Sequence, residues 1–315
     1  MIPEIHQQGG ISSPGEPSPI MGRRPECNGL GETVIDSTSR GWSIDLRELW
    51  ARRELLYFLI WRDIKVRYRD TLLGGAWALA QPTLMMVIFT VFLAPAVAGE
   101  GPAGFLPYPL YVYSGFLAWN YFASAITGAS MSVVQSEGLI TKVYFPRLIL
   151  PLATVGANLI DLAIASAGMV FLMLYYHIAP GWSVLLLPVW VSLCALAGFG
   201  VGTLLAALNV RYKDFRFLVP YMMQVWMFST PAIFIQRAET PPAIMFGSAD
   251  IHEKIRLLLL QMNPVVSLII SFRAVALGGP SPWQPLAVSS VVIIAFLAAG
   301  CYYFRRVEDT FADVI

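Results

Sequence analysis

The sequence predicts an all-α integral membrane protein with six transmembrane helices, an N-terminal amphipathic interface helix, and a re-entrant helix pair between spans 5 and 6. Three observations predict it. The 315 residues are 57% hydrophobic and only 13% charged, with a mean hydropathy of +0.63, more apolar surface than a soluble domain can bury. Six segments approach the roughly 20 residues a helix needs to cross a bilayer core of about 30 Å. The 21 lysines and arginines are also distributed unevenly along the chain.

Residues 1–40 are rich in Pro, Gly and Ser and lack the apolar core of a secretory signal, so they read as a disordered cytoplasmic tail ahead of a membrane domain over 41–315. Residues 46–68 form the interface helix. Leu46, Leu49, Trp50, Leu56, Tyr57, Ile60, Ile64 and Tyr68 make an apolar stripe, with Arg47, Arg52, Arg53, Arg62, Lys65, Arg67 and Arg69 around the rest, a pattern suited to the headgroup layer. After a Gly74-Gly75 break the spans follow at about 76–98, 108–131, 148–176, 182–208, 217–235 and 286–304. A further apolar stretch, 255–277, is interrupted by Asn263-Pro264 and carries Arg256 and Arg273. Its second half reaches only about 21 Å, which suits a pair of half-helices buried against protein.

Charge selects among the topologies. Ten cations precede the first span, two follow the second, three follow the fourth and two follow the last, whereas the four on the other side all lie between Arg237 and Gln284. The positive-inside rule then puts both termini in the cytoplasm, which requires an even number of spans. The net charge of +1 carries no signal for nucleic acid. Cys27, Cys194 and Cys301, and His6, His177 and His252, are scattered, so neither a disulfide framework nor a metal site is expected. None of the four lysines follows a glycine, so no Walker A motif is present and no cofactor is expected on this chain.

Two cytoplasmic loops mix basic and aromatic residues: SEGLITKVYFPRLILP over Ser136–Pro151, a short helix at about 136–145 ended by Phe145-Pro146, and LNVRYKDFRFLVP over Leu208–Pro220. Composition alone would make them topological anchors with snorkelling side chains. Taken with LIWRDIKVRYRDTLLGGAWALAQPTLMM (Leu59–Met86), MNPVVSLIISFRAVALG (Met262–Gly278) and YFRRVEDTFADVI (Tyr303–Ile315), however, they resemble, in order, the membrane subunit of ABC-2 type exporters of O-antigen, capsule and teichoic acid polysaccharides. The resemblance runs from about Leu46 to Ile315. Many relatives carry an acid after the Phe-Pro-Arg triplet, where this chain has Leu148.

The resemblance implies a homodimer in the bacterial inner membrane. It also implies a separate ATPase that binds ATP and magnesium, leaving this chain without enzymatic activity of its own. The first cytoplasmic loop becomes a coupling helix, with Glu137, Lys142, Tyr144 and Arg147 touching that ATPase. The expected cargo is a lipid-linked polysaccharide, its anionic diphosphate recruited by Arg62, Lys65, Arg67 and Arg69, since clustered cations near a membrane attract phosphates.

Aromatics at helical spacing are candidates for the sugar path: Tyr108, Tyr111, Trp119 and Phe122 on the second span, and Phe217, Tyr221 and Phe228 with Gln224 on the fifth. Trp77 and Gln81 are neighbours on the first. Aromatic rows also pack helices and mark the lipid interface. Asp161 is the one carboxylate well inside a span. With Asn158 a turn away and no intramembrane base beside it, it reads as a structural hydrogen-bonding group rather than a proton relay. Arg305 and Arg306 with Glu308 and Asp309 read as a solvated helix end.

An exporter of drugs or small lipids shares this fold. An integral membrane enzyme acting on polyprenyl phosphates would need clustered acids or histidines at one membrane face, which the sequence lacks. A proton-coupled carrier would need internal repeats and several buried ionisable groups.

Overall fold

The computed structural model describes residues 46–69, 71–97, 107–143, 145–230, 233, 263–278, 283–308 and 311. The tail 1–40, Tyr144, Arg237, Arg256, Asp309 and the first half of the re-entrant stretch lie outside the described residues. The order is α1 (Leu46–Ala51), α2 (Arg53–Tyr68), α3 (Ala76–Phe92), α4 (Ala94–Val97), α5 (Tyr108–Gln135), α6 (Glu137–Ile140) and α7 (Ile149–Tyr175). A 3₁₀ turn (Trp182–Leu186) leads into α8 (Leu187–Arg211), followed by α9 (Phe215–Phe228), α10 (Pro264–Leu277) and α11 (Trp283–Glu308). Among the described residues all regular structure is helical. Three helices are long and apolar enough to cross a membrane: Ile149–Tyr175, Trp182–Arg211 and Leu286–Glu308.

Several helices end earlier than hydropathy suggests. The expected interface helix over 46–68 breaks at Arg52 (φ −98°, ψ 22°), because Leu49 is drawn into two apolar clusters, one of which contains the end of α11, while α2 follows α7. The expected span 76–98 is interrupted at Leu93, where Pro95 starts a new turn. The coupling helix is a single turn, Glu137–Ile140, rather than 136–145.

The α5 helix is the axis of the bundle. Every residue from 110 to 119 is buried, so both its polar and apolar faces meet protein. It lies between α7 and α8, with α3 and α10 against it and α11 behind α8. In lipid no hydrophobic force drives helices together, so close backbone approach has to provide the contact. Glycines on α8 allow it on two faces. A Cβ on Gly198 or Gly202 would meet the methyls of Ala125 and Ala129 at 2.7 and 2.5 Å, and one on Gly200 would meet the Leu297 backbone nitrogen of α11 at 2.7 Å. The reciprocal Gly300 lies against the Gly200 carbonyl and Thr203 Oγ1.

Helix α10 is embedded in the bundle, with all residues but Ile270 buried. Asn263 caps it, its Oδ1 accepting from Val265 N at 3.1 Å and from Trp226 Nε1 at 3.0 Å, while its Nδ2 donates to Thr230 Oγ1 at 3.0 Å. One side chain thus fastens the end of α9 to the start of α10. Gly278, at φ +80°, closes the helix in a left-handed conformation.

Gly200→Ala is expected to cost about 1–3 kcal/mol through overpacking, seen as a lower melting temperature of the detergent-solubilised protein. Gly138→Ala on α6, where nothing lies within 4 Å, should leave that temperature unchanged or slightly higher.

Candidate functional site

Helix α2 lies along the first half of α7. Leu59 is buried among Phe145, Ile149, Leu150 and Ala153, and Gly156 lets Ile60 approach so closely that an added Cβ would sit 2.9 Å from it. Polar contacts continue this seam. Thr154 Oγ1 lies 3.5 Å from Asp63 Oδ2, and Arg67 Nη1 donates to Asn158 Oδ1 at 2.7 Å and to Asp161 Oδ2. The Tyr68 hydroxyl donates to Asp161 Oδ1. Burial, reinforced by that bond to a carboxylate, pushes the Tyr68 hydroxyl up to about 12.

The sequence suggested no intramembrane base beside Asp161, and its cationic partner comes from the interface helix: α2 runs beside α7, so Arg67 in its last turn reaches a residue 94 positions away. The other headgroup candidates remain outside the seam. Arg62 pairs with its neighbour Asp63 at 2.9 Å, Lys65 lies 5.5 Å from the Trp61 ring centroid, and Arg69 is exposed.

The loop after α5 divides its four candidates. Glu137 and Lys142 are exposed, and Tyr144 lies outside the described residues. Arg147 turns inward. Its backbone N–H donates to Glu308 Oε1 at 3.1 Å, its guanidinium donates to the Glu308 carbonyl, and it lies 5.7 Å over the Phe311 ring. The end of α11 is therefore docked rather than solvated, with Phe304 and Phe311 fully buried and edge to face at 5.1 Å. Leu148 is buried in the same cluster, which suits an apolar residue at that position. The available sequence signal was Phe304 and Phe311, seven residues apart and on one helical face.

The aromatic candidates fall into two groups. On α5, Tyr111, Trp119 and Phe122 are buried, Tyr108 stacks on Tyr111 with centroids 6.5 Å apart, and Phe122 meets Trp226 edge to face at 5.2 Å. On α3 and α9, Trp77, Gln81, Phe217, Tyr221, Gln224 and Phe228 are exposed.

Arg273, noted in the sequence only as a charge within an apolar stretch, organises the N-terminal part of α5. Its guanidinium lies 3.5 Å from the Tyr111 ring centroid, Nε donates to Ser114 Oγ at 3.0 Å, and Nη2 donates to the carbonyls of Tyr111 and Ile233 at 2.8 and 3.2 Å. Gly115 makes room, since a Cβ there would meet Nη2 at 2.6 Å. Among the described residues no three metal-ligating side chains come together.

This bundle, with its loop between the second and third long helices and its short buried α10, belongs to a known class. The ABC-2 type transporter family profile matches residues 54–246, and the chain belongs to that family. Among its relatives, the O-antigen export system permease protein RfbA of Myxococcus xanthus is 31% identical over 271 residues, covering 86% of this chain and 98% of the relative. A protein of the same name from Klebsiella pneumoniae is 23% identical over 266 residues, covering 83% and 95%. The protein is thus a membrane permease of the family that the sequence motifs resembled.

Arg273→Lys is expected to destabilise the protein by about 2 kcal/mol, because an ammonium cannot reproduce the guanidinium fork and its stacking. Thermal melts in detergent, compared with wild type, read the loss.

Proposed function

We propose that this chain is the membrane-spanning permease of an ATP-driven exporter that moves a lipid-linked, O-antigen-like polysaccharide across the bacterial inner membrane. The observation that carries the reading is the alignment of most of this chain with almost the whole length of relatives named as O-antigen export permeases. It works as a homodimer with a separate ATPase subunit that binds ATP and magnesium. Six spans cross the membrane with both termini in the cytoplasm, the asymmetry of the cations supporting this orientation. Helix α10 is half of a re-entrant pair, since 14 residues reach only about 21 Å.

In this reading the lipid diphosphate collects at the cations of α2, where each lysine or arginine near an anionic surface contributes about 1 kcal/mol. Sugar rings then pass along the exposed aromatics and amides of α3 and α9, namely Trp77, Gln81, Tyr221, Gln224 and Phe228. The α5 rings Tyr108, Tyr111, Trp119 and Phe122 back that surface, C–H faces of sugars suiting aromatic faces. Glu137, Lys142 and Tyr144 meet the ATPase. Arg147 contributes by fixing the loop that carries them to the end of α11.

Co-purification with the ATPase encoded beside it, followed by stimulation of ATP hydrolysis by lipid-linked glycans, tests the reading; no association with any ATPase would sink it. Replacing Arg62, Lys65 and Arg69 together by Gln leaves the Arg67–Asp161 pair intact. It is expected to lower export by about tenfold or more, measured as surface polysaccharide, while ATPase association is retained. Lys142→Glu should have the opposite signature, with the ATPase lost from the purified complex and lipid binding unchanged.

A further inference from the structure

We infer that Asp161 is a placeholder anion, holding Arg67 in the position where the phosphate of a lipid headgroup replaces it. The inference rests on the proposed recruitment of an anionic lipid by α2 and assigns that site its resting state. Arg67 Nη1 is shared between a neutral acceptor, Asn158 Oδ1, and a charged one, Asp161 Oδ2. The pair is not sealed: the Arg67 and Asp161 side chains are 34% and 25% exposed, so an incoming anion can reach the guanidinium. A phosphate offers more acceptor oxygens and the bidentate geometry that a guanidinium fork matches, so it can compete with a carboxylate that binds through one oxygen.

The displaced carboxylate is not stranded, because the Tyr68 hydroxyl also donates to it. The exchange has a mechanical consequence. Arg67 and Tyr68 form the last turn of α2, and Gly75, at the entry to α3, lies against Tyr68 and Ile164, where a Cβ would sit 4.0 and 3.2 Å away. Moving Arg67 from Asp161 to a headgroup therefore leaves the end of α2 held to α7 at this carboxylate by Tyr68 alone, loosening it at the point where the chain enters its first apolar helix. Occupancy of the site is thereby conveyed to the bundle.

Detergent-purified full-length protein titrated with a polyprenyl diphosphate, with tryptophan fluorescence as readout, tests this. The other arms are inorganic pyrophosphate and unphosphorylated polyprenol. With the internal competitor removed, Asp161→Asn should bind the diphosphate lipid about fivefold tighter, since such partly exposed pairs are worth up to about one kcal/mol. Asp161→Glu, which keeps the competitor, should stay near wild type, and adding Arg67→Gln to Asp161→Asn should abolish the gain. A purely structural pair predicts unchanged or weaker binding by Asp161→Asn, and that result overturns the inference.

Hydrogen exchange on the wild-type protein gives a second measure that needs no variant. Faster exchange over residues 64–69 on adding the diphosphate lipid is expected, and unchanged or slower exchange overturns the inference. An equal response to inorganic pyrophosphate overturns the assignment to a lipid. If wild type binds no diphosphate lipid, recruitment by α2 falls as well; binding that Asp161→Asn fails to tighten removes only the placeholder.

Discussion

The architecture depends on how closely α8 can lie between its two neighbours. Where the surroundings are lipid, leucines gain nothing by meeting one another, and backbone proximity is what fixes a helix pair. Gly198 and Gly202 face the alanines of α5, and Gly200 faces the backbone of α11, so one helix supplies small residues on two sides. This brings the buried α5 into the centre, sets α11 behind α8, and places the ends of α5, α8 and α11 in one cluster. The loop that presents Glu137 and Lys142 inherits its position from that cluster.

Three arginines then join parts of the chain that are remote in sequence. Arg67 ties α2 to α7, Arg147 ties the loop before α7 to the end of α11, and Arg273 ties α10 to α5 and to the Ile233 carbonyl. Arg67 and Arg273 each reach more than one acceptor, and Arg147 and Arg273 also stack on an aromatic ring. The ties differ in exposure. Arg273 is enclosed by the bundle, whereas the partners at Arg67 remain partly exposed. Packing therefore sets the frame, and charge marks where it can yield.

The legible part of this fold was whatever depends on local pattern. Apolar runs located the long helices, Asn263-Pro264 marked the start of α10, and ordered motifs gave the family. Partners remote in sequence were not legible. Nothing near residue 161 announces an arginine, and Glu308 gives no sign that it accepts from Arg147, because both contacts arise only once the helices are stacked. Local pattern also did not separate the two apolar sides of the interface stretch: Tyr57 on α2 and Trp50 on α1, assigned to the same apolar stripe as Leu56 and Ile60, are exposed. A helix flanked by both lipid and protein has two apolar sides, so hydrophobicity alone does not distinguish them.

The Asn263 junction has a consequence for how this scaffold can diversify. Thr230, just past the end of α9, and Asn263, the cap of α10, lie 33 positions apart and are joined side chain to side chain. Where two points of a chain are fastened together, lengthening the stretch between them raises its closure entropy only logarithmically. Insertions between these two points can therefore be added at small entropic cost while α9 and α10 keep their register.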